Sequence, residues 1–71
     1  MTLEEYYIIS GWVEEILKKQ TEPLTIKQIE SLLIEGSHIV DNFDLRQTIW
    51  EMVGEERAKF TPGHKIERAS K

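Results

Sequence analysis

Five cations crowd the C-terminal end of this chain. Arg57, Lys59, Lys65, Arg68 and Lys71 stand against a single acid, Glu67, so residues 57 to 71 carry a net +4. Residues 1 to 56 hold twelve acids against four bases, Lys18, Lys19, Lys27 and Arg46, a net −8. Such a basic run suits an anionic surface, phosphates above all, whereas the acidic body is repelled by one. Any nucleic-acid contact must therefore rely on the tail. The same run also serves as a solvated hairpin that keeps the domain soluble, and charge alone does not separate the two uses.

Other chemistry is poorly supplied. His38 and His64 are isolated, and no carboxylate–histidine spacing marks a metal site. There is no cysteine, no nucleophile elbow and no phosphate-binding glycine loop. The acids near the start come as adjacent pairs, Glu4-Glu5 and Glu14-Glu15, the habit of a solvated face rather than a catalytic dyad. The expectation is a non-enzyme that needs no cofactor.

The elements that must position these side chains have to fit in 71 residues. That length allows one domain, 1–71, near the lower end of what folds without staples. Without cysteines, stability must come from helix packing or a partner. The opening MTLEEYYIISGWVEEILKK has acids where a signal peptide needs bases, and charges interrupt its apolar residues. It reads as neither a secretion signal nor a membrane span, which points to a cytoplasmic protein.

Periodicity predicts three helices, about 3–20, 26–35 and 42–55, and a hairpin about 57–69. Thr2 with Glu5, and Thr25 with Gln28, have capping-box spacing. Tyr6, Ile9, Val13, Ile16 and Leu17 form the core stripe of the first helix. Ile8 and Trp12 lie beside that stripe and make its apolar arc wider than one packing face needs. Gly11 lowers helix propensity and leaves room for another backbone. Leu24 reads as a one- or two-residue strand. Ile26, Ile29, Leu32 and Leu33 supply the buried side of the second helix, and Gly36 fits a left-handed cap after it. Either Ile39 or Val40 is expected to tuck into the core, and either Asp41 or Asn42 to cap the third helix, with Asp44 in its first turn. A two-residue Pro-Gly loop pairs Phe60 with Lys65. A three-residue loop pairs Phe60 with Ile66 and Lys59 with Glu67. Burial of the two apolar residues favours the second register.

Two segments, EPLTIKQIESLL (22–33) and LRQTIWEMVGEERAKFTP (45–62), resemble the prokaryotic winged helix-turn-helix superfamily. With the first helix, the resemblance covers nearly the whole chain. It implies an α+β, mainly α, fold of three helices followed by a two-stranded β-hairpin wing. The chain departs from the pattern at Glu56, where the family usually has glycine, while Gly54 lies two residues earlier. Either the helix ends early or Glu56 takes a less comfortable backbone conformation.

The resemblance also implies a binding mode. In DNA-binding members the third helix enters the major groove and the wing touches the backbone. By position, Arg46 and Gln47 would read base edges, and Asn42 and Thr48 would meet phosphate or base. Arg57, Lys59, His64, Lys65 and Arg68 would hold phosphates. A bland reading pairs Lys59 with Glu67 and lays Arg46 over the second helix.

The outward line of the third helix, Phe43, Gln47, Trp50 and Gly54, argues differently. Two aromatics flanked by Asp44 and Glu51 suit a protein interface better than a groove. Phe43 is expected to pack partly against the preceding link, while Trp50 is either exposed or folded under the wing. Ile8 and Trp12 suit a two-fold homodimer contact, or else are the apolar surface any small domain shows. The first reading is therefore a duplex-DNA-binding winged helix in transcriptional regulation, as a homodimer through the first helix. The alternative is a protein-interaction module using Phe43, Trp50 and the acidic body to bind a basic partner.

Overall fold

A computed structural model describes residues 1–69, and Ser70 and the tail cation Lys71 lie outside the described residues. The order is α1 (Leu3–Lys19), α2 (Ile26–Glu35), α3 (Asn42–Gly54), β1 (Ala58–Phe60) and β2 (Ile66–Arg68). This is the expected mainly helical α+β arrangement, three helices followed by an antiparallel hairpin in a winged-helix-like layout.

The helix starts follow from capping chemistry. Thr2 and Thr25 each accept a hydrogen bond from the backbone N–H three residues on, at 3.1 Å in both cases. Glu5 and Gln28 reach back to complete both boxes, and each Thr is worth about 1 kcal/mol as a cap. Asp41, not Asn42, caps α3, its carboxylate accepting from the N–H of Phe43 at 3.1 Å.

The C-terminal ends are less orthodox. After α2, His38 N–H bonds Leu33 C=O and Ser37 N–H bonds Ile34 C=O. After α3, Arg57 N–H bonds Met52 C=O and Glu56 N–H bonds Val53 C=O. Both are Schellman caps, which need a left-handed residue. Ser37 (φ 65°) and Glu56 (φ 61°) fill that role. The expected left-handed Gly36 instead has φ −85°, so the glycine stands one residue early. At Glu56 the less comfortable of the two sequence alternatives holds.

The three helices and the hairpin enclose one core. Val13, Ile29, Leu45, Ile49, Met52 and Ile66 are fully buried within it. The register pairs Phe60 with Ile66 and Lys59 with Glu67, as the three-residue loop requires. Ile66 meets the burial expectation but Phe60 does not, being 38% exposed. In the Pro62-Gly63-His64 loop, His64 takes the left-handed conformation, at φ 59°. Leu24 forms the expected minimal strand. It exchanges backbone bonds with Ile66 at 2.9 and 2.6 Å, which adds a third strand position beside β2. Val40 packs against the core while Ile39 is 91% exposed. No backbone approaches Gly11, which has open space around it.

Candidate recognition surface

The outer face of α3 and the adjoining wing make the surface that sequence singled out, and the structure divides its residues into two groups. Leu45, Thr48, Ile49 and Met52 turn inward and fix the rotation of α3. Thr48 is thereby withdrawn from any ligand. It is fully buried, and its hydroxyl donates to Asp44 C=O at 2.7 Å. The opposite side presents Phe43, Arg46, Gln47 and Trp50 to solvent.

Phe43 is 70% exposed, which corrects the expectation of partial packing against the link. With Asp41 as the cap, Phe43 lies in the first turn of α3 and projects away from the body. Trp50 is 66% exposed and leans against Phe60, with ring centroids 5.3 Å apart and planes inclined at 60°. A tilted pair at that separation is within the range of favourable aromatic geometry. Phe60 was not among the residues expected at this surface. Although it pairs with the buried Ile66, it lies beside Trp50 at the edge of this surface rather than in the core.

The basic residues fare differently from one another. Arg57 leaves the expected phosphate-contact set because its guanidinium points into the protein. Its Nε donates to Glu14 at 2.9 Å and its Nη1 to Ser10 at 3.0 Å, with Tyr6 Oη at 3.4 Å and Glu55 at 3.6 Å. Tyr6, Ser10 and Glu14 lie four residues apart along α1, so they share one face and form a ladder for the arginine. The Tyr6 hydroxyl in turn donates to Glu55, the C-terminal cap of α3.

Burial pushes the Tyr6 phenol up to about 12, and its hydrogen bond to the Glu55 carboxylate pushes in the same direction. For Arg57, burial opposes the charge, but the hydrogen bond and charge of Glu14 outweigh it and the net shift is upward. The network therefore ties the wing base to α1 and α3. Sequence reasoning missed it. The four-residue spacing of Tyr6, Ser10 and Glu14 was a readable signal, but nothing local named Arg57 as its partner.

Lys59 pairs across the hairpin with Glu67 at 3.2 Å, the bland reading of that residue. Arg46, Lys65 and Arg68 are exposed and carry no ion pair among the described residues. His64 is exposed at the loop, serving as its left-handed turn residue. Asn42 is exposed, with its amide 3.5 Å from Glu30. The DNA candidates that remain outward and unengaged are thus Arg46 and Gln47 on α3, and Lys65 and Arg68 on the wing.

The two first-helix candidates sit on another side of the molecule. Ile8 is 48% exposed. Trp12 is half-buried and stacks on His38, with centroids 3.9 Å apart and planes at 16°. Among the described residues no helix is long and apolar enough to cross a membrane. No protein-family model, curated protein or solved structure matches this chain.

Proposed function

We propose that this chain is a protein-interaction module of the winged-helix type. Its ligand would be a protein with basic character, engaged through the outer face of α3 and the adjoining edge of the wing. The observation that carries this reading is the exposure of Phe43 and Trp50 on one helix face, with Phe60 extending it onto β1. Large, rigid aromatics anchor protein interfaces because they bury much apolar area at small entropic cost. Asp44 and Glu51 flank them, which favours a cationic partner and disfavours phosphates. The internal use of Arg57 and the Lys59–Glu67 pair further reduce the charge available to a nucleic acid.

Duplex-DNA binding in transcriptional regulation is the second reading. It is supported by Arg46, Lys65 and Arg68, exposed and without an ion pair among the described residues, and by the exposed Gln47. In that reading α3 enters the major groove, and a homodimer through α1 would place two such wings on one duplex.

An amide NMR titration with mixed-sequence duplex DNA, at low and at physiological salt, discriminates the two. Protein binding as the main role expects no saturable shifts at physiological salt, and no change when Lys65 and Arg68 are replaced by glutamate. It also expects a photo-crosslinking residue in place of Trp50 to capture a protein in native cells, where the same group in place of the exposed Lys27 does not. Shifts clustered at Arg46, Gln47, Lys65 and Arg68 would instead establish the DNA reading. They should weaken with salt at a log–log slope of roughly −0.9 per phosphate contact.

A further inference from the structure

A groove of about 300 Å³ lies between α1 and the segment joining α2 to α3, and Asp44 at the start of α3 closes its lining. Its apolar walls are Ile8 and Trp12 from α1, and Ile39 and Val40 from the link. Two of these cannot be accounted for by folding. Ile39 is 91% exposed and Ile8 48%, so neither contributes much to the core, yet both flank the same depression. A β-branched side chain left in water beside a half-buried indole forgoes most of the stabilisation that full burial would bring.

The rim of the groove carries charge of one sign. Glu5, Asp41 and Asp44 line it, and no lysine, arginine or histidine does. Two of these acids are held in place by other duties. Glu5 completes the α1 capping box, and Asp41 accepts from Phe43 N–H at the start of α3. Capping explains why those two acids stand there, and it also means that their positions are set before any ligand arrives. Asp44 makes no side-chain hydrogen bond among the described residues and remains available.

This charge pattern selects the occupant. A two-fold contact between copies would bring each rim towards its equivalent, acids facing acids, which is unfavourable. A segment with a branched apolar residue between lysines or arginines satisfies both the walls and the rim. We propose that the groove binds such a basic, amphipathic peptide segment of a partner protein. The groove shares Asp44 with the border of the Phe43–Trp50–Phe60 face, and a partner spanning both would gain avidity from the two.

The test uses the Trp50→Phe protein, so that Trp12 is the only indole reporting. The probe is a short amphipathic peptide of leucine and lysine at physiological ionic strength, with its leucine–glutamate counterpart as control. Saturable binding with a change in Trp12 emission is expected for the lysine peptide and not for the glutamate peptide. Asp44→Asn, which leaves both caps intact, and Ile39→Ser, at a side chain that is almost wholly exposed, should each weaken binding at least tenfold. Lys27→Ala, outside both surfaces, should leave it unchanged, and because Phe43 and Trp50 do not line the groove, failure of the α3-face reading would not disturb this result. The proposal is overturned if the lysine peptide fails to bind, or if binding is indifferent to both Asp44→Asn and Ile39→Ser. It is equally overturned if Trp12 emission depends on protein concentration without peptide, in step with dimer formation in sedimentation, because the groove would then be the contact between copies.

Discussion

The base of the wing and the outer face of α3 are neighbours, and both hold side chains of the kind that bind ligands. At the base, Arg57, Glu14, Tyr6, Ser10 and Glu55 satisfy one another, and Ile66 is fully buried between Leu24 and β1. On the outer face, Phe43 and Trp50 have largely water for company. An arginine that sequence offered to phosphate is spent on structure, while Phe43, expected to pack partly against the link, is left on the surface. Residue type alone therefore does not separate scaffold from surface in this fold. What separates them is whether the rest of the chain supplies a partner.

Four measurements would break or sharpen that contrast. The largest effect is expected from Ile66→Ala, which empties a fully buried site and removes the apolar anchor of the wing. It should cost about 2–5 kcal/mol in chemical denaturation, enough to unfold much of a domain this small. Arg57→Met keeps most of the stem but deletes bonds to Glu14, Ser10 and Tyr6. A loss of about 1.5–3 kcal/mol is expected, and a cost near zero would show that the network is decorative.

Tyr6 provides a pH readout of the same network. Its folded-state pKa is raised to about 12 from an ordinary 10, so the folded state holds the proton more tightly than the unfolded chain. The stabilisation is complete below pH 10 and is lost as the pH climbs from 10 through 12. The unfolding free energy of the native chain from urea titration should fall by on the order of 2 kcal/mol across that window relative to Tyr6→Phe. Parallel curves for the two proteins would contradict the assigned environment. The smallest effect is expected from Phe43→Ala, which should change stability by no more than about 0.5 kcal/mol because the ring is exposed. A larger loss would move Phe43 from the surface to the scaffold and weaken the proposed interface with it.

Much of the scaffold was legible in the sequence because its signals are local. The capping boxes at Thr2 and Thr25 located the helix starts, and the apolar pair Phe60 and Ile66 located the hairpin register. Glu56 in place of the usual glycine left two alternatives, an early helix end or a less comfortable backbone conformation, and the second holds. The recognition surface was harder to read. A helical wheel gives the direction of Phe43 and Trp50 but not whether a loop or strand will cover them. Arg57 joins residues 43 to 51 positions away, a pairing that no window of sequence contains. Ile39 and Val40 sit in an aperiodic link, where adjacency rather than pattern decides which one turns inward. At Gly36 composition misled, because the cap was built one residue later on Ser37.

The Leu24–Ile66 bridge has a consequence for how the molecule opens. It fastens the hairpin to the link that precedes α2, so the wing is stitched to a part of the chain made much earlier in synthesis. Freeing the wing breaks the bridge and uncovers Ile66 together with the core it closes. The amides of Leu24 and Ile66 should therefore exchange with solvent only when the whole domain opens, while those around Pro62-Gly63-His64 exchange by local fraying. A partner meeting this surface would find a rigid die, already cut, rather than a flap that folds around it.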